Sequence, residues 1–292
     1  MRARRGKGRL GPMRFVQRRP FVTVLVLAVL VAAATTVEAQ FRRGFNRGFS
    51  NVRLSTTADV DGTFQFCRIV FNADFRGDPQ SGTWNVDWPR ADINLSVRLS
   101  ELTKTTVGRS ADGEPDHLLL RLTDDVLFQC PFIVMTEVGS ASISEPEAAR
   151  LREYLLKGGF LWADDFWGNY AWQWWEGQVR KVLPATEYPF VELPRDHPLF
   201  HSQFQVPRTP QISSINFWAS NGGNTSERGF DSAEVHTRAI LDKEGRVMVL
   251  CTHNTDLGDS FEREGDDPEY FRTMSVPGYS FGINVLVYAM TH

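Results

Sequence analysis

Cysteine is scarce in this sequence: 292 residues contain three, Cys67, Cys130 and Cys251. An odd number excludes a complete disulfide framework of the kind that staples small secreted domains. Each cysteine sits in an apolar run, so the expectation is three small buried hydrophobes. One disulfide in an oxidising compartment is the alternative. Internal repeats are absent as well, which excludes solenoid and propeller arrays. Histidine spacing offers only a weak metal signal, and no cofactor is expected. The apolar run at residues 21–34 (FVTVLVLAVLVAAA) is shorter than the roughly 20 residues that span a bilayer.

That run instead completes an export signal. Residues 1–20 are basic, the apolar stretch follows, and Val37-Glu38-Ala39 supplies modest side chains where a signal peptidase reads. These three parts in order predict a secretory signal over residues 1–39 and a periplasmic or secreted mature chain. Met13 is an alternative start. Residues 1–39 hold eight basic residues and one acid, so their removal takes the net charge from −3 to near −10. Such an acidic chain excludes nucleic acid and anionic membrane surfaces as natural partners. Membrane contact is expected only through an uncleaved signal. Residues 40–62, rich in Gly, Arg and Ser, read as a flexible linker.

From Phe64 onward, strand and helix patterns alternate. Strands are predicted at 63–71, 117–122, 131–137, 159–163, 232–241 and 246–253. A helix over 91–103 places Leu95, Leu99 and Leu102 on one face. Ser144 and Glu147 form a capping box for the next helix, Leu151, Tyr154 and Leu155 make its buried stripe, and Gly158-Gly159 stops it. A tryptophan-rich helix is predicted over 167–183 and an apolar helix over 280–291. The acidic loop over 256–269 reads as solvated, with calcium binding as the alternative although its spacing does not fit an EF-hand. This alternation predicts an α/β fold of flavodoxin-like type, a mostly parallel sheet with helices on both faces. Ligands of such sheets sit beyond the carboxyl ends of the strands. Here that means the loop after Phe71, Asp164-Asp165, and the stretch from His253 to Asp259.

Six stretches carry a resemblance: Trp84–Thr103, Leu122–Phe132, Leu151–Gly168, Asp196–His201, Gly245–Asp259 and Gly282–His292. They resemble the bacterial envelope family catalogued as domain of unknown function 4159. The resemblance implies a fold similar to class I glutamine amidotransferases and their trehalose-utilisation-like relatives, and brings no assigned activity. In an amidotransferase the Gly-Gly strand leads to a tight turn that presents a catalytic cysteine. Here Ala163-Asp164-Asp165-Phe166 stands in that place, and no Gly-x-Cys-x-Gly elbow surrounds Cys251. A histidine has no thiol to activate, so glutamine hydrolysis by that route is not expected.

The candidate catalytic residues are Asp164, Asp165 and His253. A close carboxylate pair would raise one pKa and make a general acid. The plainer reading is that one aspartate caps the tryptophan-rich helix. Trp167, Trp172, His197, Asn254, Asp256 and Asp259 are the candidate ligand-binding residues. Shared chemistry among Asp164, His197 and His253 requires them within about 10 Å of one another. Three functions follow: a non-catalytic envelope module that binds a protein or a small-molecule or carbohydrate ligand; a carbohydrate- or cell-wall-directed hydrolase, metal-assisted or not; and a scaffold that assembles through Trp172 and Trp175. The first is preferred, because the nucleophile is missing while the glycine and strand framework remains.

Overall fold

Apolar runs too short for helices become the strands of one sheet. β1 (Phe66–Ile69), β2 (Asn72–Ala73), β3 (His117–Leu120), β4 (Phe132–Thr136), β5 (Ala141–Ser142), β6 (Phe160–Asp164), β7 (Phe190–Glu192), β8 (His236–Leu241) and β9 (Val247–His253) follow in chain order. Seven of them form a sheet in the spatial order β3–β1–β4–β6–β9–β8–β7. The first five run parallel, while β8 and β7 extend the sheet antiparallel. A computed structural model describes residues 52–292, of which Leu54–His292 group as one unit. The expected signal and residues 40–51 of the linker lie outside the described residues. In the rest of that linker stretch, Ser55 donates its N–H to Leu119 O at 2.7 Å and its hydroxyl accepts from Leu119 N.

The helices are α1 (Arg90–Leu102), α2 (Glu145–Leu156), α3 (Gly168–Val182), α4 (Ile215–Ser220), α5 (Leu257–Glu262), α6 (Pro268–Tyr270) and α7 (Val276–Thr291). α1, α5 and α7 pack together on one face of the sheet, and α2 and α3 pair on the other. Side chains of a strand alternate between faces. Phe160 and Trp162 of β6 accordingly join the core that holds Leu95, Leu99 and Phe281. On the opposite face Trp175 of α3 donates its indole N–H to Cys251 Sγ at 3.2 Å. Every residue of β4, β6 and β9 is buried, the pattern of strands covered on both sides. The fold is α/β. Among the described residues no helix is long and apolar enough to cross a membrane.

Local signals hold well around α2. Ser144 N–H and Oγ both donate to Glu147 Oε2, at 2.8 and 2.6 Å. Gly158 then ends the helix with φ +106°, a backbone that costs glycine little. Three expectations need correction. Leu102, at the last residue of α1, is 44% exposed and does not join the buried stripe of Leu95 and Leu99. Cys67 and Cys130 are not two separate hydrophobes but a disulfide, with Cys251 alone free and buried. The acidic stretch after Thr255 is not a solvated loop: it folds into α5 and α6, with Asp256 and Asp259 buried.

The chain diverges at β1. One connection leads from β1 to β3 on one side, and the next crosses to β4 on the other. Such a switch point opens a crevice beyond the carboxyl ends of the strands. The small β2–β5 ladder stitches the segment following β1 to the segment following β4 there.

Candidate functional site

A cleft of about 390 Å³ occupies this crevice. Four strand ends build it. Asp87 comes from the segment after β1, Glu137 from the residue after β4, Asp165 from the residue after β6, and Asp256 and Asp259 from the segment after β9. Glu227 and Glu262 bring the carboxylates to seven, against two arginines, Arg228 and Arg263. Trp88 and Trp167 supply aromatic wall.

The backbone is bent to aim these groups. Asp87, Glu137, Asp165 and Asn254 are the four non-glycine residues with left-handed φ among the described residues, at +62°, +54°, +54° and +66°. Each such conformation costs on the order of 1 kcal/mol or more and persists where the surroundings impose it. Three line the cleft and the fourth braces it: Asn254 Oδ1 accepts from Gly168 N at 2.8 Å, and Nδ2 donates to Glu234 O. Asp87 is placed from below by Arg68, fully buried on β1. Arg68 grips Asp92 with two nitrogens and donates Nη1 to Trp84 O and Val86 O, at 3.0 and 3.3 Å.

Burial dominates the electrostatics. It holds the Asp87 carboxyl well above the usual carboxylate range, with Asp259 opposite adding to the effect. Asp256 is raised by burial and then by Asp165 and Asp87. Asp165 is raised by burial and then by Glu137 and Asp87. Burial takes Glu137 to about 7 and Asp259 to about 6. Asp259 Oδ2 accepts from Ile215 N at 2.6 Å and from the Tyr270 hydroxyl at 3.0 Å. Asp256 Oδ1 caps α5 through Asp259 N, and Asp165 Oδ1 accepts the Trp167 indole N–H at 3.1 Å.

Oxygen atoms of Asp87, Asp256 and Asp259 all lie within 4.8 Å of one another. Among the described residues Asp87 Oδ2 is buried with no hydrogen-bond partner, and so is Trp88 Nε1. A second cavity of about 380 Å³ lies by the β7–β8 edge, near Glu192, Arg195 and Arg208. None of its lining residues has a buried, unpartnered side-chain atom.

The expected site residues separate into two groups. Asp165, Trp167, Asp256 and Asp259 meet in the cleft. Asp164 does not: its carboxylate faces Thr252 Oγ1 and Leu257 N, and burial raises it to about 7. Neither aspartate caps the tryptophan-rich helix. Its first N–H groups go to Asn254 Oδ1 and to Asp231 Oδ2 instead. His253 is buried, its Nε2 donating to Gly168 O at 2.9 Å and its Nδ1 facing Arg238 Nη1 at 3.2 Å. Burial depresses it to about 3, so it is a neutral structural ring with both nitrogens engaged.

His197 packs on Tyr288, whose hydroxyl meets Val247 N at the start of β9. His253 ends that strand six residues later, roughly 20 Å away at the rise of an extended chain. One paired spacing does exist, His197-Pro-Leu-Phe-His201. There His197 Nδ1 accepts from Leu199 N and His201 Nε2 meets Arg195 O. Trp172 is half-buried among Phe166, Phe190 and His253, with the Arg238 guanidinium 3.9 Å over its ring. Trp175 is fully buried.

No local sequence signal singles out Asp87 or Glu137. The strand-end rule did point to the segment carrying Asp87, and its Asp-Trp-Pro triplet lies in the first quoted stretch of the resemblance. The pattern over 131–137 places Glu137 at the end of a strand, whereas the strand stops at Thr136 and Glu137 is the turn residue beyond it.

A comparison with curated proteins finds no match. The family model described as domain of unknown function DUF4159 matches residues 66–290, and the chain belongs to that family.

Proposed function

We propose that the chain is an exported, non-catalytic binding module of the cell envelope that holds a polyhydroxylated ligand, such as a saccharide, in the acidic cleft. The cleft's composition carries this reading. Carboxylates accept hydrogen bonds from hydroxyl groups, and tryptophan faces cover the apolar faces of sugar rings. Seven acids and two tryptophans line one cavity at the switch point, where ligands of open α/β sheets bind. Export is supported by the signal-like leader and by the Cys67–Cys130 disulfide, since such bonds persist in oxidising compartments.

The hydrolase alternative loses its expected histidine, because His253 is buried with Nε2 on Gly168 O and Nδ1 against Arg238. The scaffold alternative loses its surface, because Trp175 is core and Trp172 is covered on several sides. The test is calorimetric titration of the chain with defined cell-wall saccharide fragments and neutral disaccharides. Saturable binding that Trp88→Leu and Asp165→Asn each weaken at least tenfold is expected. No binding by any saccharide, or binding that both variants leave intact, would overturn the reading.

A further inference from the structure

We propose that Asp87, Asp256 and Asp259 together hold one hard divalent cation, through which the ligand's oxygens are bound. This rests on the acidic cleft being the ligand site. Three buried carboxylates place oxygen atoms within 4.8 Å of one another. A calcium ion bonded to oxygen at 2.3–2.6 Å can bridge oxygens about 5 Å apart, and a smaller ion brings them closer. Asp256 and Asp259 arrive together, as cap and first turn of α5. Asp87 comes from far along the chain, on the segment Arg68 grips.

The independent sign of a ligand is Asp87 Oδ2. Asp87 lines the cleft and is 7% exposed, and among the described residues that oxygen has no donor. Among the described residues no arginine reaches it as an ion-pair partner: Arg263 pairs with Glu262 at 2.8 Å and comes to 3.8 Å of Asp259 Oδ1. Space for the oxygen is made by Gly258, where a Cβ would stand 2.2 Å from Asp87 Oδ2. A buried acceptor beside two further carboxylates is matched by a cation, and an oxygen-only donor set selects the calcium, magnesium and manganese class. Among the described residues no histidine or cysteine lines the cleft, so the site lacks the nitrogen and sulfur donors that favour zinc and copper. The open side of the cleft leaves coordination positions for water or ligand hydroxyls.

The test is titration of the chelator-stripped full chain with calcium, magnesium and manganese chlorides separately, by calorimetry. One equivalent of at least one ion is expected. Asp87→Asn and Asp256→Asn should each weaken it at least tenfold, whereas Glu101→Gln on the surface should not. Terbium luminescence excited through tryptophan gives a second readout, since Trp88 and Trp167 line the same cleft. Circular dichroism checks that each variant is folded. Absence of binding by all three ions, or binding indifferent to both aspartate substitutions, would overturn the cation site. Saccharide binding that survives a chelator would overturn the cation's role while leaving the cleft reading standing. Loss of both ion and saccharide binding in the folded wild-type chain would sink the two together.

Discussion

The carboxylate of Asp164 accepts the backbone N–H of Leu257 at 3.0 Å, tying the last residue of β6 to the first residue of α5. The tie extends inward, because Thr252 Oγ1 donates to Asp164 Oδ1 while accepting the Trp162 indole N–H. Asp164 therefore builds the wall that carries Asp259, and its neighbour Asp165 faces the cleft. Two adjacent carboxylates with one chemical identity have opposite tasks.

That division predicts opposite stabilities. Asp164→Ala leaves the Leu257 N–H buried without an acceptor and the Thr252 hydroxyl with Ala163 O alone, at a cost of about 1–3 kcal/mol. Asp165→Asn keeps an oxygen for Trp167 Nε1 and removes a carboxyl from a crowd of others, so it should be neutral or stabilising. Urea denaturation of both variants checks this. Equal losses for the two would contradict the division.

The same pair shows what was legible in sequence. Helix α2 and strand β6 were legible because their signals are local: a capping box, an apolar stripe and a left-handed glycine within 20 residues of one another. The strand-end rule also reached three segments that do converge. Local patterns could not say that Asp256 and Asp259 are buried, since their burial depends on β6, Ile212 and Tyr270 folding over them. Nor could they link Asp87 to residues about 170 positions later. The expected Asp164–His197–His253 grouping fails for the same reason. A histidine's position in sequence does not say which end of β9 it packs against.

His253 makes stability depend on pH. Its folded value of about 3 lies below the ordinary 6.5, chiefly through burial. Between those values the unfolded chain binds a proton that the folded chain refuses, so this group's contribution weakens as pH falls from 6.5 towards 3. Above 6.5 it has no effect. The raised carboxyls act with the opposite sign, so the measurement is the difference between wild type and His253→Gln. The wild type's advantage should shrink by several kcal/mol between pH 7 and pH 4. A difference independent of pH would contradict the neutral, buried ring.

The cysteines can be counted chemically. Cys251 is fully buried and its thiol is pushed up to about 12, so the folded chain should show no thiol reactive to a disulfide reagent. Denaturant alone should expose one thiol, and denaturant with reductant three. The Cys67–Cys130 bond closes a loop with a sequence separation of 63, for which the chain-entropy account gives a stabilisation of about 4 kcal/mol. Reduction should lower the unfolding midpoint accordingly. A full complement of reactive thiols in the unreduced chain would show that the bond does not form.

Gly258→Ala separates geometry from charge at the cation site. Alanine suits a helix better than glycine by about 1 kcal/mol, and Gly258 does not have the left-handed backbone that would strain it. Its Cβ, however, would meet Asp87 Oδ2 at 2.2 Å and Asp87 Cγ at 3.0 Å. Something must shift, and the Asp87 carboxylate is the group in the way. All three carboxylates remain in the protein, so the negative charge of the cleft is unchanged. If that charge alone attracted cations, the variant would bind calcium or manganese as the wild type does. If three placed oxygens hold the ion, displacing one should weaken binding at least tenfold, about 1.4 kcal/mol, with the far-ultraviolet circular dichroism unaltered. Calorimetry of the two chains side by side decides between a diffuse acidic field and a built site.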